Sequence, residues 1–347
     1  MRYLSVKRYG QIVDYWLANF LAQEAIYPFY ASLKITHKCK FRCKFCNVWK
    51  EKTPDISKED AFKVLDNLGN SSIILLSFEG GDPLLRADML EILEYAHKKP
   101  FYKFITTSER NLEKYPLEEY ARYLDFLHIS IDEGHKNLYM FDKLHEFTKY
   151  GMGICVQIVV TNDDVNALES KVKCVYQAGA KTVIMPAVHL DDTENYMPDI
   201  DAFRNEIFRL KKKYPATITT PDFYLKRMDN IHACNTASII IDSDGGMFYP
   251  CRTLNEKPVN LLETPLNKFL VSEEARRARA RMSKCKRHCL WYQYFAANAF
   301  ISPIEIWSAL RPYFADILAG NPNRNGCNSR TPNSGRKEKI SECPENA

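Results

Sequence analysis

The sequence predicts an α/β fold built on a parallel sheet, followed by a small hairpin-plus-helix extension. Two observations carry this. Between Tyr30 and about Pro186, six apolar, β-rich runs alternate with amphipathic helical patterns, and strands that each feed a helix form parallel sheets with right-handed crossovers. Beyond Ala233 the alternation stops, and a strand–turn–strand pattern leads into a basic and then an aromatic-rich helical stretch.

The six strand runs are 31–36, 72–78, 102–107, 126–131, 155–161 and 182–185. The first helix between them follows Ser57-Lys-Glu-Asp60, a capping-box pattern, and sets Ala61, Val64, Leu65 and Leu68 on one face. Further helical patterns cover 88–97, 117–125, 136–149 and 166–177, the last closed by Gly179. After them, 238–242 and 247–249 read as strands of a hairpin turned at Ser243-Asp-Gly-Gly246. The chain thus divides into an N-terminal amphipathic helical segment (1–29), an α/β unit (30–230), the hairpin-and-helix region (231–319) and a tail (320–347). The Asn, Pro, Gly, Ser and Lys of that tail predict disorder.

Of 347 residues, 46% are apolar and 26% charged, the balance of a globular protein with a sizeable core. The net charge of +5, from 48 basic and 43 acidic residues, is too small to point to nucleic acid, which is not expected as a partner. No stretch approaches the roughly 18 consecutive apolar residues of a spanning helix. The N-terminal residues lack the apolar core and cleavage site of a signal peptide, so a cytoplasmic protein is expected, with peripheral membrane contact as a further expectation. Without export, the eleven cysteines read as metal ligands rather than a disulfide framework.

In folds of this class, ligands bind beyond the carboxyl ends of the strands. The first strand is followed at once by His37-Lys-Cys39-Lys-Phe-Arg-Cys43-Lys-Phe-Cys46, spaced Cys-x3-Cys-x2-Cys. Iron–sulfur clusters are normally held by four thiolates, so three on one short loop leave one iron open to a small molecule. Zinc is the other reading, although zinc usually takes ligand pairs from two separated knuckles.

With this spacing, and with aromatic Phe45 before the third cysteine, the segment resembles the radical S-adenosylmethionine (SAM) superfamily. The resemblance implies a partial (β/α)6 parallel barrel and a 4Fe–4S cluster on Cys39, Cys43 and Cys46. It implies that the open iron chelates the amino and carboxylate groups of SAM. Reductive cleavage then gives methionine and a 5′-deoxyadenosyl radical, which takes a hydrogen atom from the substrate. An electron donor such as flavodoxin or ferredoxin, and oxygen sensitivity, are implied with it.

Further segments are similar to those of the family, each at the end of a predicted strand. Phe78-Glu-Gly80-Gly81-Asp82-Pro looks like the Gly-Gly-Glu-Pro loop that holds the SAM amino group, with Asp82 one methylene shorter than the usual Glu. Thr106-Thr107-Ser108 is similar to the Thr-Asn-Gly loop, and Ser130-Ile-Asp132 to the Ser-x-Asp strand that faces SAM. Asn162 stands where a polar contact to the ribose or carboxylate is common. Each alone is also consistent with a polar residue capping a helix.

Cys234 and Cys251 flank the hairpin, and Cys285 and Cys289 follow. This arrangement resembles the SPASM and twitch extensions, more closely the one-cluster twitch form, and implies an auxiliary 4Fe–4S cluster on these four thiols. A structural zinc site remains open on spacing alone. Cys155 and Cys174 read as core residues.

Three features bear on the substrate. Arg276, Arg277, Arg279, Arg281, Lys284, Lys286 and Arg287 form a basic stretch, suited to phosphate or anionic lipid, or else a solvated face balancing Glu273 and Glu274. Aromatic, amphipathic patterns around Tyr15, Trp16 and Phe20, and from Leu290 to Leu310, suit a membrane interface or helix packing. His189, Asp191 and Asp192 follow the sixth strand as substrate-orienting groups or a plain polar loop. A peptide or protein substrate is expected, because that is the commonest role among relatives with such extensions. A lipid or isoprenoid substrate, or a non-catalytic iron–sulfur protein, are the alternatives.

Overall fold

The computed structural model describes residues 3–162, 164–188, 195–228, 234–287, 289–296, 302–307 and 311–312. The expected tail, together with His189, Asp191, Asp192 and most of the aromatic pattern after Ala296, lies outside the described residues.

Helix α1 (Val6–Ala22) opens the chain, with the Ser5 side chain accepting from the Arg8 amide. Its inner face sets Ile12, Tyr15 and Trp16 against Ala25, Phe29 and Ala237. Buried Arg8 donates to the carbonyls of Ser71, Ile73 and Pro100. These carbonyls precede the second and third strands, so α1 seals the amino-terminal end of the sheet.

Strand and helix then alternate: β1 (Tyr30–Thr36), α2 (Lys58–Gly69), β2 (Leu75–Gly80), α3 (Met89–His97), β3 (Tyr102–Thr107), α4 (Leu117–Tyr123) and β4 (Phe126–Ser130). The series continues through α5 (Met140–Phe147), β5 (Gly153–Val160), α6 (Leu168–Gln177) and β6 (Lys181–Pro186). The capping pattern at Ser57 forms as expected, its hydroxyl accepting from the Asp60 amide at 3.0 Å. The strand face turned toward the helices is apolar: Ala31, Leu33 and Ile35 of β1, Leu127 and Ile129 of β4, and Val156, Ile158 and Val160 of β5 join one core. Burying each such large side chain contributes roughly 1.5–3 kcal/mol.

Helices α7 (Ile200–Lys213) and α8 (Asp222–Lys226) follow β6. The segment between them runs beside β6, with Thr182 donating to the Thr217 carbonyl and Thr219 to that of Thr182. β7 (Ser238–Ile241), β8 (Gly246–Phe248) and β9 (Val259–Asn260) form the hairpin region, and α9 (Leu266–Leu270), α10 (Glu273–Met282) and α11 (Tyr292–Ala296) close it.

The hairpin extends the same sheet. Strand order is β6-β5-β4-β3-β2-β1-β7-β8-β9 among the described residues. β7 pairs parallel with β1, Tyr30 opposite Ser238, while β8 and β9 add antiparallel. The fold is therefore the expected parallel-dominated α/β sheet, with antiparallel strands at its C-terminal edge. Because side chains alternate along a strand, the face away from the core carries Tyr30, Ser32 and Lys34 of β1, Glu79 of β2, His128 of β4 and Gln157 of β5. That inner face is polar. Glu79 accepts from Tyr30, Ser32 and Gln293, the last reaching in from α11. His128 stacks on Phe104 with centroids 4.0 Å apart, and burial pulls its pKa down to about 3.

Candidate active site and thiol clusters

The loop from Cys39 to Cys46 leaves the carboxyl end of β1. Its turn closes through the Cys46 amide donating to the Cys43 carbonyl at 3.1 Å, and Trp49 Nε1 donates to the Cys46 carbonyl. The three cysteines are free, Cys43 buried and the others half-buried. Burial pushes the Cys39 thiol up to about 11 and raises Cys46 as well. Thiols in such a setting give up their protons to metal rather than to water, since coordination supplies the missing positive charge.

Loops from the next three strands converge on this one. After β2, the Gly81 amide donates to the Thr36 carbonyl at 2.7 Å and the Asp82 amide to that of Lys38 at 2.8 Å. The approach leaves no room for side chains. A Cβ on Gly80, whose φ is +131°, would stand 1.9 Å from the Thr36 oxygen, and one on Gly81 1.9 Å from the Lys38 oxygen. After β3, Glu109 accepts from Lys40 at 2.6 Å. After β4, Phe45 packs on Gly134, where a Cβ would meet its ring at 2.1 Å, and edge-on against His135 with centroids 5.8 Å apart.

The two acidic residues expected beside SAM are closed by protein donors. Asp82 is 2% exposed and accepts from Thr107 Oγ1, the Ser108 amide and the Leu84 amide. Burial raises its pKa against those hydrogen bonds. Asp132, fully buried, holds the His135 amide and ring with one oxygen and the Val159 amide with the other. Both therefore fix loops. Thr107 and Ser130 are buried, Ser108 is half-buried, and Asn162 is exposed at the end of β5. Phe45, Gly80, Gly81, Asp82, Thr107, Ser108 and Asp132 thus gather around the cysteine loop, and Asn162 stands apart from that contact network.

His135 escapes sequence reasoning. Burial alone would depress it, but the Asp132 carboxylate and the Cys43 thiol outweigh burial and lift it to about 10. A cationic imidazole thus sits between a carboxylate and a cluster-type cysteine. No spacing rule marks it, because the contact exists only once β4 and β1 are neighbours of β2 and β3 in one sheet.

Cys234, Cys251, Cys285 and Cys289, all free, line one cavity with Thr253, Leu254, Met282, Arg287 and Tyr294. Burial raises the pKa of Cys234, with the other three thiols pushing the same way, and it raises Cys289. Among the described residues, no three His, Cys, Asp or Glu side chains gather closely enough to hold a single metal ion. The donor chemistry of both sets, soft thiols spread around a shared space, fits an iron–sulfur cluster.

The basic stretch is mostly paired. Arg276 and Arg277 contact Glu273, Arg281 contacts Glu256 at 2.5 Å, and buried Arg279 donates to Tyr249 and the Leu270 carbonyl. Among the described residues, no helix is long and apolar enough to cross a membrane.

Comparison with known proteins agrees with this geometry. The family model described as Radical SAM superfamily matches residues 33–203. An S-adenosylmethionine-dependent nucleotide dehydratase of Selenomonas ruminantium is 32% identical over 105 residues, 29% of this chain and 38% of that protein. PqqA peptide cyclase of Bradyrhizobium diazoefficiens is 29% identical over 97 residues, 27% of this chain and 26% of the cyclase. The chain therefore spans well under half the length of either relative. In fold, the chain is similar to Streptococcus suis SuiB bound to precursor peptide SuiA, with a TM-score of 0.63 at 14% identity over 84% of this chain and 77% of SuiB.

Proposed function

The chain belongs to the radical SAM superfamily, and on that premise we propose that it modifies a peptide or protein substrate by abstracting a hydrogen atom. The observation that carries this reading is the free-thiol loop Cys39–Cys43–Cys46 at the carboxyl end of β1, braced by the loops after β2, β3 and β4 above a polar inner face. When bound, a 4Fe–4S cluster carrying SAM supplies reductive cleavage to methionine and a 5′-deoxyadenosyl radical.

The chain's own groups position and enclose. Cys39, Cys43 and Cys46 hold the catalytic cluster. Gly80 and Gly81 bring backbone against it, Thr107 braces Asp82 beneath SAM, and Ser108, Ser130 and, from its separate place at the end of β5, Asn162 offer polar groups to SAM. Asp82 and Asp132, already satisfied by protein donors, act as positioning residues that keep those loops in place. Cys234, Cys251, Cys285 and Cys289 hold an auxiliary 4Fe–4S cluster. The electron comes from a flavodoxin- or ferredoxin-type donor.

Peptide as the substrate class is supported by two similar proteins, the PqqA peptide cyclase and SuiB bound to SuiA. The lipid alternative draws less support, since the arginines of the basic stretch are engaged within the protein. The test is isotope transfer. Reduced enzyme and SAM are incubated anaerobically with the peptide fraction, or the lipid fraction, of a perdeuterated cell extract. Deuterium in 5′-deoxyadenosine from the peptide fraction alone is expected. Deuterium from the lipid fraction alone would overturn the peptide reading.

A further inference from the structure

Among the described residues, two cations on the inner face of the sheet stand without a close protein acceptor. Lys34, in the middle of β1, is 4% exposed, and the contact recorded for its ammonium is the Phe248 ring, 5.4 Å from Nζ to centroid. The Arg252 guanidinium lies 5.8 Å from the same ring and 5.8 Å from that of Trp291. Its one ion contact among the described residues is Glu51 at 3.9 Å, a side chain 47% exposed.

Three carboxylates act on Lys34 by charge, Asp242, Glu51 and Glu79, and two of them are already engaged by close partners. Glu79 is held by Tyr30, Ser32 and Gln293, and Asp242 by Lys257 at 2.7 Å and His37 at 3.0 Å. Burial pulls the Lys34 ammonium down to about 7, and the charge of Arg252 acts in the same direction. Glu51, which Arg252 reaches at 3.9 Å, lies five residues beyond Cys46, and this places the pair near the catalytic loop. A buried ammonium without an acceptor is strongly disfavoured, and two facing cations add repulsion. An arriving anion relieves both. The aromatic walls, Phe248 and Trp291, shield the pair from water and strengthen any charge-assisted hydrogen bond formed there.

We infer that Lys34 and Arg252 form an anchor for an oxyanion of the substrate, a carboxylate or a phosphate, held next to the cysteine loop. The inference rests on the reading of this site as a radical SAM active site and adds the charge that its substrate must carry.

The test is calorimetric titration of the holoenzyme, with SAM present throughout, using N-acetylglutamate amide and inorganic phosphate as separate probes. At least one probe is expected to bind, weakened by about ten-fold or more in Lys34→Met and in Arg252→Gln. Lys212→Met, an exposed lysine on α7, should leave binding unchanged. Preference for the carboxylate assigns the anchor to an acidic peptide, and preference for phosphate to a phosphorylated substrate. No binding of either probe, or binding by both anchor variants equal to that of the native chain, would overturn the anchor. Failure of the radical reading is distinguishable, because it would show as absent 5′-deoxyadenosine in a preparation that still binds the probe.

Discussion

His37 Nε2 lies 3.0 Å from Asp242 Oδ1, and the other ring nitrogen of His37 lies 3.2 Å from Ser243 Oγ. His37 directly precedes the cysteine loop, while Asp242 and Ser243 form the tip of the β7–β8 hairpin. All three are buried. The cysteine loop is thus fastened to the hairpin that Cys234 and Cys251 flank.

Asp242→Asn tests this fastening through pH. Burial would raise the Asp242 carboxyl, but His37, Lys257 and the charge of Lys34 outweigh it and hold the group well below the usual carboxylate range. A depressed folded pKa contributes stability that is present above about pH 4 and is lost as pH falls through the folded value. The variant should lose about 1–3 kcal/mol at pH 7 and show a flatter acid limb in urea unfolding midpoints between pH 7 and 3. Parallel curves for the two proteins would contradict this role.

Gly81→Ala and Gly10→Ala form a matched pair. A Cβ at Gly81 collides with the Lys38 carbonyl, whereas one at Gly10, within α1, meets nothing within 4 Å. Gly81→Ala should therefore lower both the unfolding midpoint and the iron content. Gly10→Ala should stabilise by up to about 1 kcal/mol, the helix-propensity difference, with iron unchanged. Thermal unfolding and iron assay read both.

Replacing Cys234, Cys251, Cys285 and Cys289 by alanine should halve the iron, from about eight to about four atoms per chain. Metal analysis of anaerobic preparations decides it. Unchanged iron with loss of one zinc would instead assign the cavity to a structural ion.

Asp132→Asn should cost stability, because an amide nitrogen would face one of the three donors the carboxylate now accepts from, and should also change His135. The imidazole is held up to about 10 chiefly by that carboxylate against burial, so the variant's His135 pKa should fall by more than one unit in NMR titration of the metal-free chain. An unchanged value would assign the elevation to Cys43 instead.

The sheet was legible because β1 to β6 are β-rich runs with an apolar core face, separated by helical patterns, and Tyr102–Thr107 forms at the limits the sequence predicts. Helix α7 was legible in principle but not read: Phe203, Ile207 and Leu210 are its buried stripe, masked in the sequence by seven charged neighbours. What remained hidden depends on pairing between distant segments. β7 joins β1 across two hundred residues of chain, a register no local pattern encodes. For the same reason nothing local marks the burial of Lys34 under the hairpin or the contact of His135 with Cys43. Asp82 and Asp132 show the converse: the motif located them, but only the hydrogen bonds show that they brace loops.

The most direct measurement is 5′-deoxyadenosine formed from SAM under anaerobic reduction, compared between the native chain and a variant with Cys39, Cys43 and Cys46 all changed to alanine. The native chain should form 5′-deoxyadenosine and methionine in equal amounts, and the variant neither. Equal formation by both proteins would contradict the assignment of this loop as the seat of the chemistry.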